Sequence, residues 1–216
     1  MNIINKNKLL EKKTSDTIVV YGCGSSINDL TNTQIESLNK YDSIGFNWFC
    51  KSNIPVKFYL LREQCSNAKR IGPGENMDIL VKLLLDRNCC YIVARMESDH
   101  FESEGILSKL DADGIIVDDI ADKNKAKRFI KNIKDDIFEV GLRHGRNSMF
   151  SIIHFIHYMG YKNIIFAGVD LYDSKYFWLG NETRHMVKKK NQTLYSKHAT
   201  ASDTLELLSL YKNKYK

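Results

Sequence analysis

Five patches of the chain carry side chains whose types and spacing suit chemistry on an anionic ligand. The first is Gly22-Cys23-Gly24-Ser25-Ser26, at the end of the β-branched run 17–22. A glycine pair behind a strand lets backbone N–H groups approach a phosphate or a ribose. The dinucleotide fingerprint G-x-G-x-x-G is incomplete, because Ile27 stands where its third glycine belongs, and no P-loop motif occurs. Alone, the patch fits a nucleotide loop and a plain strand-to-helix turn equally. The second is Asn47, among the large apolar residues of 44–49. A carboxamide buried there without partners costs about 1–3 kcal/mol, so it caps a turn or bonds a sugar or ribose. The third is Arg146-Asn147-Ser148, at the start of an apolar helix, where exposed N–H groups suit an anion. The fourth runs from Gly168 through Asp170 to Tyr172, with Tyr176 shortly after. Gly168 permits close backbone approach, and two phenols beside a phosphate can donate to a leaving group without a metal. The fifth is His198, five residues before Asp203. A histidine at a cleft edge suits a general base; a surface residue is the plainer reading.

Two other groups look like metal ligands and are read otherwise. His154 and His157 are three apart on the apolar helix and read as core histidines. Asp111-Ala112-Asp113 has the D-x-D spacing that often holds a metal, but it precedes a strand instead of following one, and reads as a loop cap. No metal site is expected.

The elements that must position these residues are short and alternating. Strands are expected at 17–22, 42–46, 56–61, 90–94, 114–117 and 162–168. Helices are expected at 31–39, capped by Thr31 or Asn32, and at 76–86, near 101–110 and 122–134, at 147–158 and at 200–212. The helix at 147–158 is apolar on nearly every side, which implies burial. Alternation of this kind predicts an α/β, Rossmann-like domain over 1–216, with a mostly parallel sheet and helices on both faces. Ligands in such sheets bind beyond the carboxyl ends of the strands. That rule selects Gly22 to Ser26, Asn47, Leu60 to Arg62 and Asp170 to Tyr172. Residues 173–197 are polar, aromatic and basic without periodicity, and read as a lid.

The bulk numbers narrow the class. The 216 residues suffice for one α/β domain with a real core. The formal charge of +6 favours anionic ligands, or peripheral association with the inner membrane from the cytoplasm. Lys188 to Lys190 and Lys212 to Lys216 carry much of that excess. No apolar run approaches the roughly 20 residues of a membrane span. Five cysteines without C-x-x-C spacing fit neither a disulfide framework nor a zinc ribbon, so a reducing cytoplasm is the expected compartment.

Taken in order, the five patches resemble the bacterial sialyltransferases of glycosyltransferase family 42. That family has a glycine loop like Gly22 to Ser26, a strand-end Asn like Asn47 and a helix-start Ser like Ser148. A Gly-Tyr-Lys strand ending in Gly-x-Asp, as in Gly160 to Tyr172, follows, then a second tyrosine and a His five ahead of an Asp. The segment Gly160 to Tyr172 is the closest. Cys23 and Ser25 depart from the family's loop Asn and Pro, and Leu60 stands where a further Asn is expected. The family arginine has no exact match; Arg146 or Arg143 could serve.

The resemblance implies a GT-A-like fold and an inverting transfer from a CMP-sugar to a glycan or lipid-linked glycan, with no metal, no other cofactor and no nucleic acid. His198 would be the base, and Tyr172 and Tyr176 would stabilise the leaving phosphate. Gly22, Cys23, Gly24, Ser26, Asn47, Arg146, Asn147, Ser148, Gly168 and Asp170 would hold the nucleotide. A homo-oligomer is compatible with all of this. Alternatives are a motility-accessory-factor-like transferase, a pterin pyrophosphokinase-like enzyme, and a nucleotide-binding protein without catalysis.

Overall fold

A computed structural model of the chain describes residues 1–61, 82–95, 106–121, 125–144, 147–171, 176–178 and 200–215. Eight strands form its centre: β1 (Asn2–Ile3), β2 (Thr17–Tyr21), β3 (Asp42–Phe46), β4 (Phe58–Leu61), β5 (Cys90–Arg95), β6 (Asp113–Ala121), β7 (Leu142–His144) and β8 (Asn163–Ala167). Their order is β1-β6-β5-β4-β3-β2-β8, with β7 paired to β6 off this path. Each of these pairings is parallel. The expected α/β, Rossmann-like parallel sheet is therefore present. The chain steps outward from β2 through β3, β4 and β5 to β6, then returns to the other side of β2 for β8. That reversal makes the β2/β8 boundary a topological switch point, where open α/β sheets leave a crevice beyond the strand ends.

The central strands are buried on both sides and read as nearly continuous apolar runs. Residues 18–21, 58–61 and 90–94 are almost inaccessible. Alternate positions enter two separate apolar clusters, as the period of 2 dictates. Ile18, Val20, Ile44, Phe58, Leu60 and Ile92 pack with Phe129 and Ile130, with Phe150 to Ile156, and with Leu207. Those partners lie on helices Lys125–Asn132, Ser148–Tyr158 and Thr200–Tyr215. Val19, Tyr21, Tyr59, Leu61, Tyr91 and Val93 pack instead with Ile27, Trp48, Phe49, Leu84 and Leu107.

The helix Ser148–Tyr158 buries every residue from Met149 to Ile156, as its sequence predicts. Asn147 caps it through its side chain, and Gly160 leaves it with φ 68°. Helix Asn32–Leu38 is opened by a capping box of Thr31 and Gln34. The strand expected at 114–117 is longer and runs to Ala121, because Asp119, Ile120 and Ala121 pair with β7. The helices expected near 101–110 and 122–134 begin at Ile106 and Lys125 within the described residues. The expected helix at 76–86 is described only over 82–86, where 82–85 are helical.

Of the two histidines on the apolar helix, His154 is a core residue and His157 is half-buried. His154 is fully buried; its Nδ1 accepts from the Arg143 N–H at 3.0 Å, and its Nε2–H donates to the Asp135 carbonyl at 3.1 Å. Both nitrogens are thereby used, and burial pushes the ring pKa down to about 4. Asp113, from the D-x-D spacing, sits at the amino end of β6, bonded to Asn2 at 2.8 Å and Lys12 at 2.7 Å. It belongs to the edge away from the strand carboxyl ends, as its sequence position implies.

A polar node fastens that amino edge. Asp42 is 1% exposed, and its carboxylate accepts from Thr14 N and Oγ1, Ser15 N, the Tyr161 hydroxyl and the Lys57 ammonium. Burial alone would raise its pKa, but Lys57, Thr14 and Tyr161 outweigh burial and hold it below the usual carboxylate value. A carboxylate with a depressed folded pKa stabilises the fold above its unfolded pKa, and the effect is lost as pH falls through the folded value. Asp42→Asn is expected to destabilise the protein by about 2 kcal/mol at pH 7. The gap from the parent protein should close below about pH 4, the unfolded carboxylate range. Urea melts of both proteins across pH 3–7 check this; a gap independent of pH would assign the loss to packing.

Candidate functional site

The carboxyl ends of β2, β3 and β8 bring four of the five patches to one edge. The β2 loop and the β8 loop are locked together by backbone bonds, with Gly22 N donating to the Ala167 carbonyl at 2.8 Å and Gly24 N to the Gly168 carbonyl at 2.7 Å. The glycines are needed for this approach. A Cβ on Gly22 would overlap the Gly168 carbonyl, and a Cβ on Gly24 would overlap the Asp170 carboxylate. Gly168 has φ 65°, and a Cβ there would overlap Ile27. The space freed by the missing side chains is thus filled by the chain itself.

Asp170 has a specific task. Its carboxylate accepts from the Ser26 hydroxyl and from Ser26 N at 2.9 Å, at the first turn of the 3-10 helix Ser25–Asp29. Asp170 and Ser26, both candidate nucleotide contacts, bond to each other and clasp the two loops together. Cys23 is 8% exposed and its thiol lies 3.5 Å from the Phe46 carbonyl, so it faces the chain.

Asn47 is the one residue other than glycine with positive φ among the described residues, at 52°. Asn tolerates this left-handed region better than most residues, though it remains a sparsely used conformation. Two bonds hold it there. The Tyr59 hydroxyl donates to its carbonyl, and Ser148 Oγ donates to its Oδ1 at 3.2 Å. Asn47 and Ser148 are 101 residues apart in sequence and meet at the carboxyl end of β3. Asn147 accepts from Met149 N at 3.0 Å and donates through Nδ2 to Thr204 Oγ1 at 3.1 Å. The start of helix Thr200–Tyr215 is thereby fastened to the start of helix Ser148–Tyr158.

Residues 176–178 of the expected lid lie against the β2 loop. Tyr176 forms an antiparallel bridge with Gly24, Phe177 N donates to the Cys23 carbonyl at 3.2 Å, and Asn28 Nδ2 donates to the Phe177 carbonyl at 2.9 Å. The Tyr176 and Trp178 rings stack at 4.6 Å, and Lys51 Nζ lies over the Trp48 and Trp178 rings at 5.1 and 4.9 Å. Arg62, Tyr172, His198, Arg146 and most of 173–197 lie outside the described residues. Among the described residues no cluster of His, Cys, Asp and Glu could hold a metal ion. No helix among them is long and apolar enough to cross a membrane.

The sequence reading did not find Thr204, Tyr59 or Lys51. A threonine on a helix and a tyrosine in a strand carry no local signal of what they bond. The fold is that of an α/β protein whose polar loop residues gather at the carboxyl edge of a parallel sheet, next to its topological switch point. No protein-family model matches the chain, and no curated protein is significantly similar to it.

Proposed function

We propose that the chain is an inverting glycosyltransferase that uses a CMP-activated acidic sugar: sialic acid, a related nonulosonate or a Kdo-type sugar. The observation that carries this reading is Asn47. A residue other than glycine is held at positive φ by Tyr59 and Ser148, beside a helix N-terminus and a glycine loop, at the carboxyl edge of a parallel sheet. A sparsely used conformation maintained by surrounding bonds is characteristic of ligand sites. The order of the five patches, shared with the family 42 sialyltransferases, supplies the chemistry.

On this reading the nucleotide lies along Gly22 to Ser26, Asn47, Asn147, Ser148 and Gly168, with Arg146 toward the phosphate. The acceptor hydroxyl of a glycan or lipid-linked glycan attacks the anomeric carbon of the donor. The bond from that carbon to the phosphate oxygen breaks through an oxocarbenium-like transition state. His198 takes the hydroxyl proton. Tyr172 and Tyr176 donate to the phosphate oxygen on which negative charge develops.

CMP at a hundredfold excess over its Kd is expected to stabilise the protein by about 2.7 kcal/mol, and more than UMP, GDP or AMP. Thermal shifts with that panel test the donor class, and equal shifts with all four nucleotides would remove it. Transfer is expected to persist in EDTA, whereas complete loss would favour the pyrophosphokinase-like alternative. A second reading, a nucleotide-binding protein without catalysis, draws on the filled space around Gly22 and Gly24, which explains both glycines without a ligand. Donor hydrolysis by the purified protein separates it from the first.

A further inference from the structure

Helix Lys125–Asn132 has no acidic residue and is followed by the turn residues Ile133 and Lys134. Its apolar face, Ala126, Phe129, Ile130 and then Ile133, is buried in the core. Lys127, Lys131 and Lys134 are exposed. Spacings of four and three put them on one face, where like charges repel. Helix electrostatics accounts for cations near the last turn but not for Lys127, which stands in the first turn at the positive end of the helix dipole. Among the described residues none of these three lysines forms an ion pair.

A second cationic segment meets the first. Lys214 of helix Thr200–Tyr215 donates to the Ile130 carbonyl at 3.0 Å, and Lys212 is exposed. Helix Thr200–Tyr215 adjoins the C-terminal end of helix Ser148–Tyr158, where the His157 and Tyr215 rings lie 4.6 Å apart, and Phe129 of helix Lys125–Asn132 lies 6.1 Å from the His154 ring. Burial first, then the charges of Lys134 and Lys214, hold the His157 pKa below its usual value. Beside this surface the Phe138 ring lies 6.1 Å from Tyr158, and Phe138 and Val140 are each 37% exposed. The nearby acids are mostly engaged: Asp135 binds Arg143, Asp136 binds Lys6, and Glu139 is exposed.

We propose that this face, Lys127, Lys131, Lys134, Lys212 and Lys214 with Phe138 and Val140, docks on a bilayer surface bearing anionic phospholipid headgroups. Cations interleaved with exposed apolar side chains match the boundary between headgroups and acyl chains. The apolar face of helix Lys125–Asn132 belongs to the core, so attachment is electrostatic, with shallow insertion by Phe138 and Val140. A nucleic acid fits less well, because the exposed apolar side chains Phe138 and Val140 find no apolar partner on a phosphate backbone. The proposal is independent of the donor-sugar reading.

The full chain is tested by sedimentation with vesicles of phosphatidylglycerol and phosphatidylethanolamine, against vesicles of phosphatidylcholine alone. Binding to the anionic vesicles alone is expected, weakening steeply as salt rises. The triple variant Lys127→Gln, Lys131→Gln, Lys134→Gln should bind about a hundredfold more weakly, from about 1 kcal/mol per charge. A control with Lys12, Lys13 and Lys162 changed to Gln removes the same charge from elsewhere and should bind far more tightly than the patch variant. Equal loss in both variants would reduce the effect to net charge and overturn the proposal. So would wild-type binding that ignores lipid charge or salt, failure to bind anionic vesicles at physiological salt, or capture of duplex DNA without vesicle binding.

Discussion

Gly168→Ala is expected to destabilise the protein by about 2–5 kcal/mol, while Gly160→Ala loses only about 1–2 kcal/mol. Both glycines have positive φ, 65° and 68°, so both substitutions incur the same left-handed penalty. They differ in space. A Cβ on Gly160 meets only the flexible end of Lys13, at 3.8 Å, whereas a Cβ on Gly168 overlaps Ile27 and stands 3.0 Å from the Gly22 carbonyl. Ile27 is β-branched and 6% exposed, so it has little room to yield. The difference between the two variants is the packing of the β8 loop on the β2 loop. Because Gly22 would in turn strike the Gly168 carbonyl, Gly22→Ala and Gly168→Ala perturb one contact, and their effects should not add. Urea denaturation of the three single variants and the double variant measures this. Equal losses at 160 and 168 would mean that conformation alone, and not close packing, requires the glycine.

That loop pair also shows what a sequence can disclose about such an edge. Gly22, Gly24 and Gly168 were legible as places of close backbone approach, but what approaches was not. A missing Cβ leaves the same mark whether a phosphate or a neighbouring loop fills the gap. Asp170 and Ser26 are similar: polar residues at strand ends suit a ligand, and their mutual clasp depends on two loops 144 residues apart. Asn47 and Ser148 were found because strand and helix periodicity place both at the carboxyl edge, whatever their separation. The sheet was legible for the same reason, since β2, β3, β4, β5 and β8 are apolar runs bounded by turn residues. β1 and β7, of two and three residues, are too short for any period to register. The short 3-10 helices Ser25–Asp29 and Asn47–Lys51 were missed likewise, although Trp48, Phe49 and Cys50 of the second are buried.

His198→Ala is expected to lower sugar transfer by about 10²–10⁴-fold, the usual contribution of a general base, and to leave CMP affinity nearly unchanged. The argument begins at Thr204, whose hydroxyl accepts from Asn147 at the start of the buried helix. That bond fixes the N-terminal half of helix Thr200–Tyr215 near the edge that carries Asn47 and Ser148. In the sequence, His198 stands two residues before that helix. Asp203, in the first turn, follows at the spacing that carries the resemblance. The nucleotide contacts proposed above come from β2, β3, β8 and helix Ser148–Tyr158, and none passes through residue 198. A loss confined to turnover therefore separates a base from a binding residue, since an interaction made only in the transition state lowers kcat without weakening the ground state. The pH profile adds an independent reading. If an imidazole must be neutral to accept the proton, kcat should rise with pH through the histidine range near 6.5, and the variant should lose that limb. A folded His198→Ala protein with parental kcat and an unaltered profile would leave the histidine a structural residue and the base to be sought elsewhere.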